Sequence, residues 1–516
     1  MKKIGRYAVT GVLGRGGMST VYKVMVPEID LAAALKCFDP RPALVEKMGH
    51  DALRRRFMAE AAVTAHIRHP NVLDVWRMEE ADGRLFYLMP YFCRDLGALI
   101  GETYWADAPT RILRPERAVR YLAGVLEGLA RLHEAGIIHR DLKPANVMLT
   151  DQNTVVIADF GLSRARGETL AAGAGDLVFG TRYYAAPEQV LDPDGVDGRA
   201  DLYSTGVILH RMLTGRLPTT PPARPGEINP DLDDDWDDLI LTALSPEPDN
   251  RYPDAGAMAV ALEDARVRFE EKKARTCALG EGASFRLNGL QRGEIRTADK
   301  VSASFPADSA IGLNAEYPPI TGTKKHIGPG SLSGDAKSAV TVPSSSDGNS
   351  GDLKASSAPR TRAMTIAGSR AKTIFGLDDL WRPKFYAAIP FTPGPDGLIV
   401  ADPVCGLTWQ QSGSLYPVTW EQAHAYAERM NAERFGGFNA WGLPTVDELL
   451  TLLSNLSPGA DFCQAPVFDT RQNWIWSADR RSPKAAWYVN METGFVGSHD
   501  LTGYFYVRLR TTNEVG

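Results

Sequence analysis

The chain has 516 residues, too many for one compact core, so we expect two or three domains. Hydrophobic residues make up 44% and charged residues 23%, which excludes a fibrous or wholly disordered protein. The net charge of −6 disfavours a nucleic-acid partner, and the absence of a membrane-spanning stretch or a signal segment predicts a cytoplasmic protein. The five cysteines are scattered and odd in number, so we expect no disulfide framework or structural metal.

Near the N-terminus, glycines separate two β-prone runs. Residues 12–22 read VLGRGGMSTVY, the pattern of a glycine-rich hairpin. Glycine lets backbone N–H groups approach anionic oxygens without a Cβ in the way, so this hairpin would suit phosphate groups. Such hairpins are common, and the pattern alone indicates a nucleotide only weakly.

An apolar, strand-like run follows and contains Lys36, which is either an edge residue or a phosphate clamp. Residues 51–66 then predict a helix. Its apolar residues recur at spacing four: Leu53, Phe57 and Ala61. Glu60 lies beside that stripe, and a half-buried glutamate needs a partner. Lys36 is the candidate.

Two further segments carry the chemistry of phosphoryl transfer. Residues 139–149 read HRDLKPANVML, and residues 159–161 read DFG. The reaction requires an acceptor for the hydroxyl proton, cations that bridge the phosphates, and oxygen ligands for those cations. Asp141 suits the first role, and Asn146 with Asp159 suits the last.

This ordered set of motifs resembles the protein kinase family over about residues 7–268. The resemblance implies a two-lobed α+β fold that uses ATP and Mg²⁺. It also implies transfer of phosphate to serine or threonine hydroxyls of protein substrates, including autophosphorylation. Lys143, two residues after Asp141, and Thr181 favour serine or threonine over tyrosine as the acceptor.

The resemblance assigns roles residue by residue. Lys36 would hold the α and β phosphates and pair with Glu60. Asp141 would orient the hydroxyl and accept its proton, with Lys143 and Asn146 as further catalytic residues. Asn146 and Asp159 would coordinate magnesium. The other implied ATP-binding residues are Leu13, Gly14, Gly16, Gly17, Val21, Ala34, Met89 as gatekeeper, Phe92 and Met148.

Other marks of the family are structural, and two positions depart from it. Arg251 is expected to pair with Glu188, and Asp201 to tether the catalytic loop from a buried helix. An apolar column is expected from Thr64, Val75, His139 and Phe160. Ser19 replaces a third glycine of the hairpin, and Pro90 replaces the usual acidic residue of the hinge between the lobes.

A connector is predicted over residues 270–384. Within it, residues 321–360 hold 21 Ser, Gly, Pro and Thr residues in 40 positions and no aromatic residue. Such a segment cannot bury enough apolar surface to offset its ordering entropy, so we expect a disordered linker. Thr361, Thr365 and Thr373, which lie among basic residues, are expected phosphorylation sites in this tether.

The second folded domain is predicted over residues 385–516, where most of the tryptophans lie. Residues 419–422 and 445–448 each fit a helix capping box. Residues 474–476, 486–489 and 504–507 are β-prone, with a turn at residues 492–494. The pattern indicates a small α+β domain.

The phrases GLTWQ at 406–410, GLPT at 442–445, AWYVN at 486–490 and YVR at 506–508 resemble the Lcl C-terminal-like family. That family is similar in fold to C-type lectins and formylglycine-generating enzymes, and the resemblance implies binding of a ligand or partner. Gly442 replaces an arginine often found there. We expect Cys405, Cys463 and the tryptophans to be core residues, and the sequence names no ligand-binding residue.

Three functions therefore stay open. The first is an active serine/threonine kinase whose C-terminal domain senses a ligand or recruits a substrate. The second is a pseudokinase scaffold that only binds partners. The third is a lectin-like binding protein that its own kinase domain regulates.

Overall fold

The computed structural model describes residues 2–103, 108–159, 164–165, 183–192, 195–281, 359–454 and 463–512. Residues 1–279 and 357–516 form one compact unit. Within the part of the chain that is described, no helix is long and apolar enough to cross a membrane.

The N-terminal part, here called the small lobe, is an antiparallel sheet with the strand order β1-β2-β3-β4-β6-β5. Its strands are β1 Lys3–Ile4, β2 Tyr7–Arg15, β3 Ser19–Val26, β4 Leu31–Phe38, β5 Arg77–Ala81 and β6 Arg84–Pro90. Helices α1 Pro42–Met48 and α2 His50–His66 follow β4. The predicted helix over residues 51–66 is thus present, and it buries Leu53, Phe57, Glu60 and Ala61.

The following part, the large lobe, is mainly helical. Its helices are α3 Leu96–Ile100, α4 Pro115–Glu134, α5 Glu188–Leu191, α6 Arg199–Thr214, α7 Pro225–Ile228, α8 Asp234–Ala243 and α9 Ala255–Glu281. Its short strands are β7 Arg94–Asp95, β8 Ile137–Ile138, β9 Val147–Leu149, β10 Val155–Ile157 and β11 Arg164–Ala165. Helices α4 and α6 form the centre of this lobe because both bury long runs of apolar side chains.

The C-terminal domain combines two small antiparallel sheets with short helices. One sheet has the order β12-β13-β14-β18, formed by Thr392–Pro393, Ile399–Asp402, Leu407–Gln410 and Arg510–Thr512. The other has the order β15-β16-β17, formed by Trp474–Ser482, Ala485–Asn490 and Phe495–Asp500. The helices are α10 Gly368–Ile374, α11 Trp420–Ala432 and α12 Val446–Thr451.

Most expectations for this domain hold in the structure. Both capping boxes are formed, at Thr419 with Gln422 and at Thr445 with Glu448. Five tryptophans and Cys463 are buried in the core: Trp409, Trp441, Trp474, Trp476 and Trp487. Cys405 is only partly buried and packs against the core. Residues 504–507 form no strand, because Phe505 and Tyr506 make isolated bridges to two different segments, at Val418 and Ile475.

The connector is shorter than residues 270–384. Helix α9 continues to Glu281, and residues 359–384 are folded onto the C-terminal domain. Their apolar side chains enter its core: Ile366, Ala371, Phe375 and Leu377. Thr361, Thr365 and Thr373 are exposed but lie on this folded segment, with Thr365 bridged to Arg480. The Ser/Gly-rich residues 321–358 lie outside the described residues.

Candidate active site

Lys36 lies between two carboxylates. Its Nζ is 2.7 Å from Oε1 of Glu60 on helix α2 and 3.0 Å from Oδ1 of Asp159, which follows strand β10. Strand β4 places Lys36 opposite Val21 on β3 and opposite Tyr87 on β6. The three elements therefore bring together one cation and two anions that are distant in sequence.

The charges at this position stabilise one another. Burial alone would lower the pKa of Lys36, but the acidic groups around it (Tyr87, Asp159 and Glu60) raise that pKa well above its usual value. Lys36 in turn holds the pKa of Asp159 below its usual range. The Asp159 side chain is 49% exposed, so an anionic carboxylate is accessible beside a buried cation.

The catalytic-loop residues form a second cluster. Nζ of Lys143 donates to Oδ2 of Asp141 at 2.8 Å. Nδ2 of Asn146 donates to the Asp141 carbonyl at 2.7 Å and lies 3.2 Å from Oδ2. The backbone carbonyl of Asn146 accepts from the N–H of Ala158, which precedes Asp159. This bond connects the loop to the residue proposed as a metal ligand.

Asp201 fixes the backbone of this loop from helix α6. Its side chain is completely buried and accepts hydrogen bonds from the backbone N–H groups of His139 at 2.9 Å and Arg140 at 2.8 Å. Burial by itself raises the pKa of Asp201, but the hydrogen bond to His133 and the other partners lower it overall. The carboxylate thus stays charged, as the predicted tether requires.

Two residues of the site have unusual backbone conformations. Arg140 has φ of 66° and Asp159 has φ of 63°, in the left-handed region that side chains other than glycine rarely adopt. Such conformations persist where the surrounding structure holds them, and they cluster at functional sites. Here the hydrogen bond to Asp201 stabilises the conformation of Arg140, and the ion pair with Lys36 stabilises that of Asp159.

The expected adenine-binding residues share one apolar cluster. Ala34 and Met89 are buried and face each other across strands β4 and β6. Three partly buried residues pack against the same cluster: Val21, Phe92 and Met148. Leu13 is 45% exposed and does not join this cluster.

The glycine-rich hairpin connects strands β2 and β3. Gly14 is opposite Val21, and Val21 is in turn opposite Lys36, so the three residues lie side by side on neighbouring strands. A Cβ at Gly14 would meet no atom of the described chain within 4 Å. Packing inside the protein therefore does not require glycine there. Gly16 and Gly17 are exposed at the turn.

The structure also describes some of the other residues that the kinase resemblance singles out. Arg251 pairs with both carboxylate oxygens of Glu188, at 2.6 and 2.8 Å. Thr64, Val75 and His139 are buried. Phe160 and Thr181 lie outside the described residues.

Sequence reasoning missed two partners of the site. The hydroxyl of Tyr87 donates to Oε1 of Glu60 at 2.9 Å, and Nε2 of His133 lies 2.8 Å from Oδ2 of Asp201. Tyr87 is two positions before Met89 and so shares its face of strand β6. This alternation along the strand could have pointed to Tyr87 as a residue of the site. Nothing in the sequence near His133 indicates that Asp201 is its partner.

Comparison with known proteins gives two family matches. The protein kinase domain family matches residues 7–252, and the Lcl C-terminal domain family matches residues 398–510. These ranges overlap the regions where the sequence shows each resemblance.

Individual relatives are bacterial. The serine/threonine-protein kinase PknL of Mycobacterium tuberculosis is 32% identical, over 61% of this chain and 83% of its own length. The probable serine/threonine-protein kinase SCO3848 of Streptomyces coelicolor is 35% identical over 50% of this chain, which spans 40% of that relative. The solved kinase domain of M. tuberculosis PknI is 28% identical, covers 51% of this chain and 99% of its own, and superposes with a TM-score of 0.39.

Proposed function

The chain belongs to the protein kinase family, and we propose that it transfers the γ-phosphate of ATP to serine and threonine hydroxyls of proteins, its own included. The relatives named above are serine/threonine-protein kinases. The observation that carries the proposal is Lys36 held by Glu60 and Asp159 at 2.7 and 3.0 Å. A kinase needs this arrangement assembled before a phosphate can be clamped.

The residues present fit ATP and magnesium. When bound, these supply the phosphoryl group and the cation that neutralises it. Asp159 offers a carboxylate, and the amide of Asn146 offers an oxygen because its nitrogen is engaged by Asp141. Oxygen ligands of this kind suit Mg²⁺. Lys36 would bind phosphate oxygens, and the apolar cluster around Ala34 and Met89 would take the adenine.

Asp141 is the proposed acceptor of the hydroxyl proton. Lys143 donates to its Oδ2, so this lysine can orient the carboxylate and lie beside the incoming phosphate. A lysine two residues after the catalytic aspartate favours serine and threonine acceptors. The presence of Lys36, Asp141 and Asp159 opposes the pseudokinase alternative, because a pseudokinase would usually lack at least one of them.

The proposal for the C-terminal domain is a ligand- or partner-binding role. It rests on the similarity to the Lcl C-terminal domain family over residues 398–510. A lectin-like binding protein that its own kinase domain regulates stays an alternative. The cytoplasmic location stays a prediction from the sequence.

Replacement of Asp141 by asparagine tests the kinase proposal. The amide has nearly the same shape but cannot accept the proton, so the initial rate of autophosphorylation with labelled ATP and Mg²⁺ should fall by about 10²- to 10⁴-fold. Asp264→Asn, at an exposed position of helix α9, is the matched control and should keep the full rate. If the natural chain binds ATP but incorporates no phosphate, it is a pseudokinase scaffold.

A further inference from the structure

The C-terminal domain contacts the small lobe at a buried lysine. Nζ of Lys23 on strand β3 is 3.0 Å from Oδ1 of Asp500, and the Lys23 side chain is only 2% exposed. The same ammonium lies 4.2 Å from the ring centroid of Tyr91. A buried ammonium needs a charged partner, and here the carboxylate comes from Asp500 of the C-terminal domain.

The domain also contacts the hinge, residues 90–94. The backbone N–H of Tyr504 donates to Sγ of Cys93 at 3.2 Å. The Tyr91 hydroxyl is 3.4 Å from Nε2 of His499. The segment 499–504 therefore lies against the hinge.

A third set of contacts reaches the large lobe. Glu492 is completely buried: its Oε1 is 2.8 Å from Nε of Arg117 on helix α4, and its Oε2 accepts from Asn153 at 3.1 Å. Arg111 donates to the Leu380 carbonyl at 3.0 Å and lies 3.6 Å from the ring centroid of Phe495.

These polar contacts surround an apolar region that is continuous between the two parts of the chain. One core cluster contains kinase residues such as Leu96 and Leu99 together with Trp474, Tyr488 and Phe495. Arg94 of the hinge stacks over Trp474 at 5.1 Å. A continuous apolar contact with buried aromatic side chains is typical of domains that stay together.

Strand β17 connects the contacts with both lobes. Glu492 lies just before it, Phe495 begins it, and Asp500 ends it. A strand of six residues spans about 20 Å. Since β17 is hydrogen-bonded to β16 along its whole length, its two ends cannot move apart independently. If the lobes opened about the hinge, either the Asp500 contact or the Glu492 contact would have to break.

We propose that the C-terminal domain is an intramolecular brace that holds the two lobes in the closed, catalytically assembled arrangement. The brace favours the active arrangement rather than an inactive one, because the Lys36–Glu60 and Lys36–Asp159 pairs are formed while the C-terminal domain is in contact with both lobes. As nucleotide is proposed to bind between the lobes, the inference rests on the proposed function, and the brace slows nucleotide release.

The test uses the full chain with Asp500→Asn, which keeps the size of the side chain and removes its charge at a position that is 44% exposed. Dissociation of a fluorescent ATP analogue should accelerate about three- to tenfold, with a similar rise in the KM for ATP. Backbone amides of β3 and the hinge should exchange hydrogen faster. Glu428→Gln on the exposed face of α11 is the control and should change neither quantity.

A charge exchange separates the ion pair from other effects of the mutation. Lys23→Glu alone should match or exceed the defect of Asp500→Asn, and Lys23→Glu combined with Asp500→Lys should recover most of the natural release rate. Unchanged release and exchange in Asp500→Asn, or a variant that becomes more active, would overturn the brace. Hydrogen exchange does not depend on phosphoryl transfer. A chain that transfers no phosphate but loosens on Asp500→Asn would therefore refute the proposed function and keep the brace.

Discussion

At the scale of single residues, the site depends on charges that are buried in pairs. The Lys36 and Glu60 side chains are 5% and 6% exposed. Burial of an isolated charge is very costly, so each of these charges needs an opposite partner nearby. Each therefore depends on the other, and a neutral replacement affects both the phosphate clamp and its neighbour.

Replacement of Lys36 by methionine should abolish most phosphoryl transfer. Loss of one phosphate clamp in an organised site costs about 3 kcal/mol of transition-state stabilisation, a rate loss of more than about hundredfold. Glu60 keeps the hydroxyl of Tyr87 as a partner, so the fold should survive. Initial rates measure the loss, and circular dichroism checks the fold. Unchanged turnover would remove Lys36 from the proposed ATP site.

The residues of this site could be predicted from the sequence because kinase motifs are short and ordered. Asp141, Lys143 and Asn146 lie within six positions, so a local loop brings them together. The Lys36–Glu60 pair was predictable from the stripe on helix α2. The role of Leu13 stays a prediction: its side chain is 45% exposed, and periodicity carries no information about how the hairpin is oriented.

At the scale of elements, the two capping boxes have similar sequences but differ in burial and in the contacts that they make. The Thr419 side chain accepts from the N–H of Gln422 at the partly exposed start of α11. Thr445 is completely buried, and its hydroxyl also donates to the Arg360 carbonyl at 2.6 Å. The second box therefore joins a helix start to the segment that precedes α10.

The two caps should differ in their contribution to stability. Thr419→Ala should lower the free energy of unfolding of the C-terminal domain by about 1 kcal/mol, the usual value of an N-cap. Thr445→Ala should cost about 2 kcal/mol, because it also leaves the carbonyl of the partly buried Arg360 without this donor. Urea unfolding followed by tryptophan fluorescence reports this domain, which holds seven of the ten tryptophans. Equal losses would show that the Arg360 contact contributes nothing.

Element boundaries were harder to predict than the boxes themselves. A capping box is complete within four residues, so its signal is local. Residues 359–384 mix six basic residues with scattered apolar ones, and no sustained periodicity marks them as part of a folded domain. Ile366, Ala371, Phe375 and Leu377 bury themselves only against a partner surface that is distant in sequence. Composition alone cannot indicate that surface.

At the scale of the molecule, one apolar core extends from the kinase lobes into the C-terminal domain. The sequence predicted two domains with a connector, and it held no signal for their contact. Lys23 with Asp500 and Arg117 with Glu492 are pairs of ordinary charged residues, separated by 477 and 375 positions. Each taken alone is typical of a solvated surface.

The shared core predicts that ligands of the kinase site stabilise the C-terminal domain. An ATP analogue that cannot be hydrolysed, with Mg²⁺ at about a hundred times its Kd, adds about 2.7 kcal/mol to the state that binds it. Thermal unfolding followed by the C-terminal tryptophans should shift to a higher midpoint with the analogue. A tryptophan transition that stays in place while a separate kinase transition shifts would show that the parts unfold independently.

The bond between the Tyr504 N–H and Sγ of Cys93 also has a consequence for covalent chemistry. Burial raises the pKa of the Cys93 thiol, so little reactive thiolate exists at neutral pH. An electrophilic inhibitor aimed at a hinge cysteine would meet a protonated sulfur that is already engaged by a backbone donor. Cys93 is partly buried and its sulfur accepts from the C-terminal domain, so detachment of that domain should raise the labelling rate. The labelling rate of Cys93 would therefore report the detachment of a domain that is distant from it in sequence.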